Sequence, residues 1–225
     1  MKELETRLNY TFRDRTLLEN ALTHSSYANE HREEGMPSNE RLEFLGDSVL
    51  GMVTADYLYR THPDLPEGEL TRIRAALVCE ASLHRVAEEL ELGRCLRLGR
   101  GENAGGGRQR PSILADAVEA VLAAVYLDGG IGSARKIISR FILEREEEEV
   151  DAGRDYKTAL QELVQRESGQ SLSYRPVREE GPDHAKVFTV AVELNGKQVG
   201  EGSGRSKKLA EQAAAKSAIA KLFPN

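Results

Sequence analysis

Two pairs of carboxylates stand in this chain where acids are costly. Glu43 and Asp47 lie four residues apart in Asn39-Glu-Arg-Leu-Glu-Phe-Leu-Gly-Asp-Ser-Val-Leu50. On a helix they project from one face, one turn apart. Asp116 and Glu119 are the only charged residues between Ile113 and Val125, and their spacing also puts them on one face. Carboxylates on apolar helix faces are unfavourable unless something compensates them. Hard divalent cations do so, and Mg2+ prefers oxygen ligands. Taken alone, Glu43 and Asp47 read first as a solvated acidic face with i,i+4 ion pairs. The second pair shifts that balance, because a carboxylate pair without a nearby base makes a poor core. Two such pairs facing each other would form a four-carboxylate cluster suited to Mg2+. Two ions ~3.5–4 Å apart in such a cluster could activate water and stabilise a leaving alkoxide in phosphodiester cleavage.

The elements that must position these acids are helical. Residues 1–145 read as helix after helix, with few β signals. Leu17, Leu18, Ala21 and Leu22 show helical spacing after the start signals Asp14 and Thr16. A polar loop at 29–38, with Gly35 and Pro37, precedes the helix of Glu43. Ser38 or Asn39 can cap that helix, with Glu40 in its favourable first turn. Leu42, Leu45, Val49 and Val53 form its core stripe, with Glu43 and Asp47 at the stripe's border. Pro63 and Pro66 break the chain before helices at about 70–79 and 80–90. The Gly-rich basic stretch 101–110 reads as a mobile loop. Pro111 suits the first turn of the second acidic helix, Gly129-Gly130 ends it, and a last helix spans about 132–148.

Beyond residue 150 the grammar changes. Residues 155–168 are amphipathic, with Tyr156, Leu160, Leu163 and Val164 on the core side. Stretches 173–178, 187–194 and 197–202 alternate as strands, and Asn195-Gly196 is a strong two-residue hairpin signal. A final helix, 206–222, has a small-residue face of Ala210, Ala213, Ala214 and Ser217. The order α-β-β-β-α makes a compact domain with both helices on one side of a sheet.

Composition separates the halves further. The chain of 225 residues is 40% hydrophobic and 30% charged, as soluble globular proteins are. It has no apolar run of membrane-span length and no signal-peptide pattern. Cys79 and Cys95 form no CxxC and suggest no disulfide framework, so a reducing, cytoplasmic setting is expected. The net charge of −6 argues against nucleic acid only if taken globally. Residues 151–225 carry 12 Lys/Arg against 10 Asp/Glu, leaving 19 against 27 in residues 1–150. Halves of opposite sign have different jobs.

Glu40-Arg-Leu-Glu-Phe-Leu-Gly-Asp-Ser-Val49 resembles the signature of the ribonuclease III family. Asp116-Ala-Val-Glu-Ala120 is similar to the family's second acidic motif. Thr23-His-Ser-Ser-Tyr27 and Asp155-Tyr-Lys-Thr158 also fall on family positions. The resemblance spans essentially the whole chain in the bacterial two-domain arrangement. It implies an all-α endonuclease domain (1–149), a linker (150–154) and a small α+β (αβββα) double-stranded RNA-binding domain (155–225). It further implies an Mg2+-dependent endonuclease for double-stranded RNA, with Mn2+ able to substitute and no small-molecule cofactor. By position, Glu43, Asp116 and Glu119 would ligate metal, and Asp47 and Glu119 would be catalytically essential. Glu67 is equally a partner-side acid or a solvated loop acid, and His24 is better read as a hydrogen-bonded structural histidine than as a general base. Phe44 lies away from the core stripe. It either fills a pocket of its own monomer or, as the resemblance implies, inserts into the partner of a homodimer. Each subunit would then cut one strand, leaving 5′-phosphate and 3′-hydroxyl ends with short 3′ overhangs. Ribosomal-precursor and structured messenger RNAs are the substrates the resemblance implies.

The C-terminal domain resembles a double-stranded RNA-binding domain, a module that reads A-form shape across ~16 bp. Ser206, Lys207 and Lys208 open its last helix, where backbone N–H groups favour phosphate. Two lysines there oppose the helix dipole, so helix stability does not account for them, whereas phosphate binding does. Thr158, Gln161 and Gln165 share a face of the first helix and could bond ribose hydroxyls. His184, in Gly181-Pro-Asp-His184 between the first two strands, matches a second minor-groove contact. The rivals are a non-cutting RNA-binding protein, which loss of any of the four acids would favour, and a small-molecule phosphohydrolase, which the appended domain disfavours.

Overall fold

A computed structural model describes residues 1–35, 37–146, 155–165, 169–181 and 186–223. The chain divides into two compact units, Met1–Gly153 and Arg154–Asn225. The expected linker, 150–154, lies outside the described residues.

The first unit is helical: α1 Lys2–Leu8, α2 Arg15–Ala21, α3 Ser25–Glu30, α4 Glu40–Thr61, α5 Glu67–Leu77, α6 Glu80–Glu89, α7 Leu92–Cys95, α8 Arg100–Ala104 and α9 Pro111–Phe141. Helix α9 is its spine, against which α2, α4 and α6 pack. From Ile113 to Val125 every residue of α9 is buried except Asp116 and Glu119, which are half-buried. Leu42, Val49, Leu50, Val53 and Leu58 give α4 its core side. Each fully buried leucine contributes roughly 1.5–3 kcal/mol, a reserve against which a few unfavourable acids can be tolerated. Asp14 caps α2 by accepting from the Thr16 N–H. Asn39 stands at the N-cap of α4 but does not cap it. Its amide instead donates to the Ala21 carbonyl, tying α4 to the end of α2. Among the described residues no helix is long and apolar enough to cross a membrane.

Two expectations for this unit are corrected. The stretch 101–110 is folded rather than a free loop, as α8 and a 3-10 turn, Gly107–Gln109. The Arg108 guanidinium donates to the carbonyls of Gly93 and Leu96, each at 2.8 Å, and the Glu30 carboxylate accepts from the Arg100 N–H. These anchors are distant in sequence, so local composition does not reveal them. Gly129-Gly130 ends the regular run of the second acidic helix as expected, because the backbone at Gly130 is non-helical. Gly130, at φ 74°, kinks α9, which continues to Phe141. The helix expected to 148 stops at Phe141, and a 3-10 turn follows at Leu143–Arg145.

The second unit runs α10 Tyr156–Gln165, β1 Leu172–Glu180, β2 Val187–Leu194, β3 Lys197–Gly204 and α11 Lys207–Leu222. Its sheet is antiparallel in the order β1-β2-β3. Asn195 and Gly196 have φ of 52° and 77°, the double left-handed turn that matches strand twist. Tyr156, Leu160 and Val164 of α10 and Ala214, Ala215 and Ala218 of α11 close the core over Val192 and Val199. The small-residue face is therefore rotated from the expected one: Ser217 is exposed, and Ala210, Ala214 and Ala218 face inward. The reason lies on β3, where Gly200 and Gly202 let α11 lie against the strand. A Cβ at Gly202 would overlap the backbone of Ala213 and Ala214.

Candidate functional site

The crossing of α4 and α9 brings the two acidic motifs together. Glu43, Asp116 and Glu119 each offer a carboxylate oxygen, and all three oxygens lie within 4.8 Å of one another. All three residues are half-buried, while Asp47 is exposed on the neighbouring turn of α4. Gly46 makes this approach feasible. A Cβ there would overlap the main-chain carbonyl of Glu119, so any side chain at 46 must push α4 away from α9 at the acids themselves. A glycine inside a helix costs about 1 kcal/mol relative to alanine, and this close crossing is its reason. Sequence reasoning passed over Gly46, although an interior glycine between two acids was a usable signal.

No acid of the four has a hydrogen bond or ion pair among the described residues. Their electrostatics show it. Burial, then the charges of Asp47, Glu43 and Asp116, pushes the Glu119 carboxyl up to about 7. Burial and the charges of Asp116, Glu40 and Asp47 raise Glu43. Burial and the Glu80 charge raise Asp116, against a lowering by His24. Glu80, the first residue of α6, is thus a further acid near the cluster that the spacing of the motifs did not reveal. An all-carboxylate, half-buried, uncompensated set of oxygens fits a hard divalent cation.

The flanking residues divide into structural and free. His24 caps α3, with Nδ1 accepting from the Ser26 N–H at 3.2 Å and lying 2.8 Å from Ser26 Oγ. That agrees with a hydrogen-bonded structural histidine. Glu67 is exposed in the first turn of α5 and accepts from Thr71 Oγ1 at 2.8 Å. Phe44 does not fill a pocket of its own monomer: it is 78% exposed, beside Met52 at 51% and Tyr59 at 76% on the same helix. An apolar stripe of this kind on a soluble helix marks an interaction surface.

In the second unit, Gln161 and Gln165 are exposed on α10, and Lys207 and Lys208 are exposed at the start of α11. Ser206 is the N-cap of α11, its hydroxyl accepting from the Leu209 N–H. The first turn of α11 contains no acid. Thr158 is exposed, but its hydroxyl donates to Asp155 at 2.9 Å, so toward another molecule it can only accept. His184 lies outside the described residues.

Comparison with known proteins agrees with this arrangement. A ribonuclease-III-like family model matches residues 14–146, and a double-stranded RNA binding motif matches residues 156–222. Ribonuclease 3 of Pelotomaculum thermopropionicum is 54% identical, over 97% of this chain and 91% of its own length. Ribonuclease 3 of Caldanaerobacter subterraneus is 52% identical, over 97% of this chain and 96% of its own. The solved nuclease domain of ribonuclease III from Campylobacter jejuni, described as flexible in a region involved in dimer formation, is 41% identical. It superposes with a TM-score of 0.59, covering 64% of this chain and 96% of that one. The chain belongs to the ribonuclease III family of endoribonucleases, and it carries a double-stranded RNA binding motif after its helical nuclease domain.

Proposed function

We propose that the protein cleaves double-stranded RNA with Mg2+ held by Glu43, Asp116 and Glu119, and that Asp47 and Glu119 are essential to the chemical step. The observation that carries this reading is the convergence of three uncompensated carboxylate oxygens within 4.8 Å at the crossing of α4 and α9. A divalent cation bound there would polarise a phosphoryl oxygen and lower the pKa of water. The chain supplies the remainder. Gly46 sets the separation of the two acidic helices. Glu119 must give up the proton that its surroundings favour before it can serve as a ligand. Asp47, exposed on the neighbouring turn of α4, would orient a water from the solvent side. In the reaction, water oxygen attacks phosphorus and the P–O3′ bond breaks, leaving a 5′-phosphate and a 3′-hydroxyl.

Double-stranded RNA would be held by the second unit, through Gln161, Gln165 and Thr158 on α10, His184, and Ser206, Lys207 and Lys208 at the start of α11. Phe44, Met52 and Tyr59 support a homodimer in which Phe44 inserts into the partner. Two sites related by a twofold axis suit two antiparallel strands, each subunit cutting one and leaving short 3′ overhangs. Ribosomal-precursor and structured messenger RNAs in the cytoplasm are the substrates that family membership favours, and the free thiols of Cys79 and Cys95 agree with a reducing compartment.

The test is incubation of the chain with a long RNA duplex and Mg2+, beside Glu119→Gln. The wild type should cut. The variant should bind the duplex but cut slower by about three orders of magnitude, on the order of 4 kcal/mol of barrier. Equal cutting would remove Glu119 from the mechanism, and binding without cutting by the wild type would leave a binding protein only.

A further inference from the structure

The two helices that carry the RNA-contact residues are tied together at one point. Asp155 stands at the N-cap position of α10, where its carboxylate accepts from the Thr158 N–H at 3.1 Å and the Thr158 hydroxyl at 2.9 Å. The same carboxylate accepts from the Gln212 amide of α11 at 2.9 Å. The Gln212 carbonyl in turn accepts from the Lys157 N–H at 3.2 Å. Gln212 thereby bonds both the capping side chain and an orphan N–H of the first turn of α10. Next to it, Glu211 holds Lys157 Nζ at 2.6 Å, and that ammonium lies 4.7 Å from the centre of the Tyr174 ring. Two adjacent residues of α11 thus grip the start of α10. Bonds from Gln212 and Thr158 hold the Asp155 carboxyl down to about 2.

We infer that the Asp155–Gln212 pair is a positioning device for duplex binding: it sets the spacing between the groove-reading face of α10 and the phosphate-binding start of α11. The inference rests on the RNA-binding reading of those two surfaces. A-form RNA presents its minor groove and flanking phosphates at one fixed separation, and a shape reader must match it. Gln161 and Gln165 lie on α10, whereas Lys207 and Lys208 lie on α11. The bond from Gln212 to the capping carboxylate does nothing for an isolated α10. It acts where one helix must be held to another, because a small misplacement of a recognition group loses much of its contribution.

The experiment measures binding of the full chain to a duplex of about 20 bp with divalent ions chelated. Gln212→Leu removes both hydrogen bonds at nearly constant shape and should weaken binding about tenfold, equivalent to ~1.4 kcal/mol. Gln212→Glu sets two carboxylates against each other and should weaken it similarly. In Mg2+, Gln212→Leu should raise KM and leave kcat unchanged. Lys207→Ala/Lys208→Ala is the control for RNA binding itself. If the lysine variant binds weakly while Gln212→Leu binds like the wild type, the positioning role is overturned and the RNA reading stands. Gln212→Leu and Gln212→Glu that both bind like the wild type, with the fold intact by circular dichroism, also overturn the proposal. A wild type that binds no duplex overturns both.

Discussion

The two units treat the same chemical group in opposite ways. In the helical unit Glu119 has no partner among the described residues, and its carboxyl is pushed up to about 7. In the second unit Asp155 is surrounded by donors and held down to about 2. The contrast extends to surfaces. On the small sheet polar side chains pair with one another, Arg175 donating to Glu193 at 2.9 Å and Thr189 bonded to Ser203 at 2.9 Å. Helix α4 leaves Phe44, Met52 and Tyr59 uncovered. A carboxylate supplied with every donor it can accept is part of the scaffold. One held half-buried without any is poised for a ligand, and an uncovered aromatic is poised for a partner.

The comparison is broken most severely at Gly46. Gly46→Val should force α4 from α9, lower cleavage by about a hundredfold or more, and cost roughly 1–3 kcal/mol of stability from overpacking. Steady-state cleavage beside thermal unfolding checks it, and full activity in the variant would show that the close crossing is dispensable. The uncovered stripe is tested next. Phe44→Ala should raise the dimer dissociation constant about tenfold or more, ~1.4 kcal/mol. Sedimentation at several concentrations reads it, and an unchanged dimer would remove Phe44 from the interface.

The smallest effect concerns pH. Glu119 is raised in the folded state, so the metal-free nuclease domain should lose stability as pH rises from the unfolded carboxyl value of about 4.3 through about 7. Mg2+ should recover that loss above pH 7, and Glu119→Gln should flatten the profile. Asp155 carries the opposite sign: its contribution is present above the usual carboxylate range and is lost only as pH falls through about 2. Thermal unfolding at several pH values, with and without Mg2+, separates the two. A nuclease domain that gains stability between pH 5 and 7 without metal would contradict the uncompensated cluster.

What the sequence makes legible depends on how local the cause is. Asp116 and Glu119 stand out because they interrupt an apolar run, and Asn195-Gly196 because a two-residue turn states its own geometry. Asp14, at the head of α2, is legible for the same reason. Gly46 is half legible: an interior glycine asks for an explanation, but only the facing Glu119 carbonyl supplies it. The folding of 99–110 depends on Glu30, Gly93 and Leu96, and the rotation of the α11 face depends on Gly200 and Gly202. The Asp155–Gln212 bond joins opposite ends of its domain. Those contacts are distant in sequence, and neither periodicity nor composition records them.

The central claim is that the three carboxylates hold the metal that cleavage requires. Its most direct test is a crystal of the protein soaked in Mn2+ and measured for anomalous scattering. The account predicts a peak bound by carboxylate oxygens of Glu43, Asp116 and Glu119, absent from a Glu119→Gln crystal soaked identically. A peak held by other residues, or none at a Mn2+ concentration that supports cleavage, would contradict it.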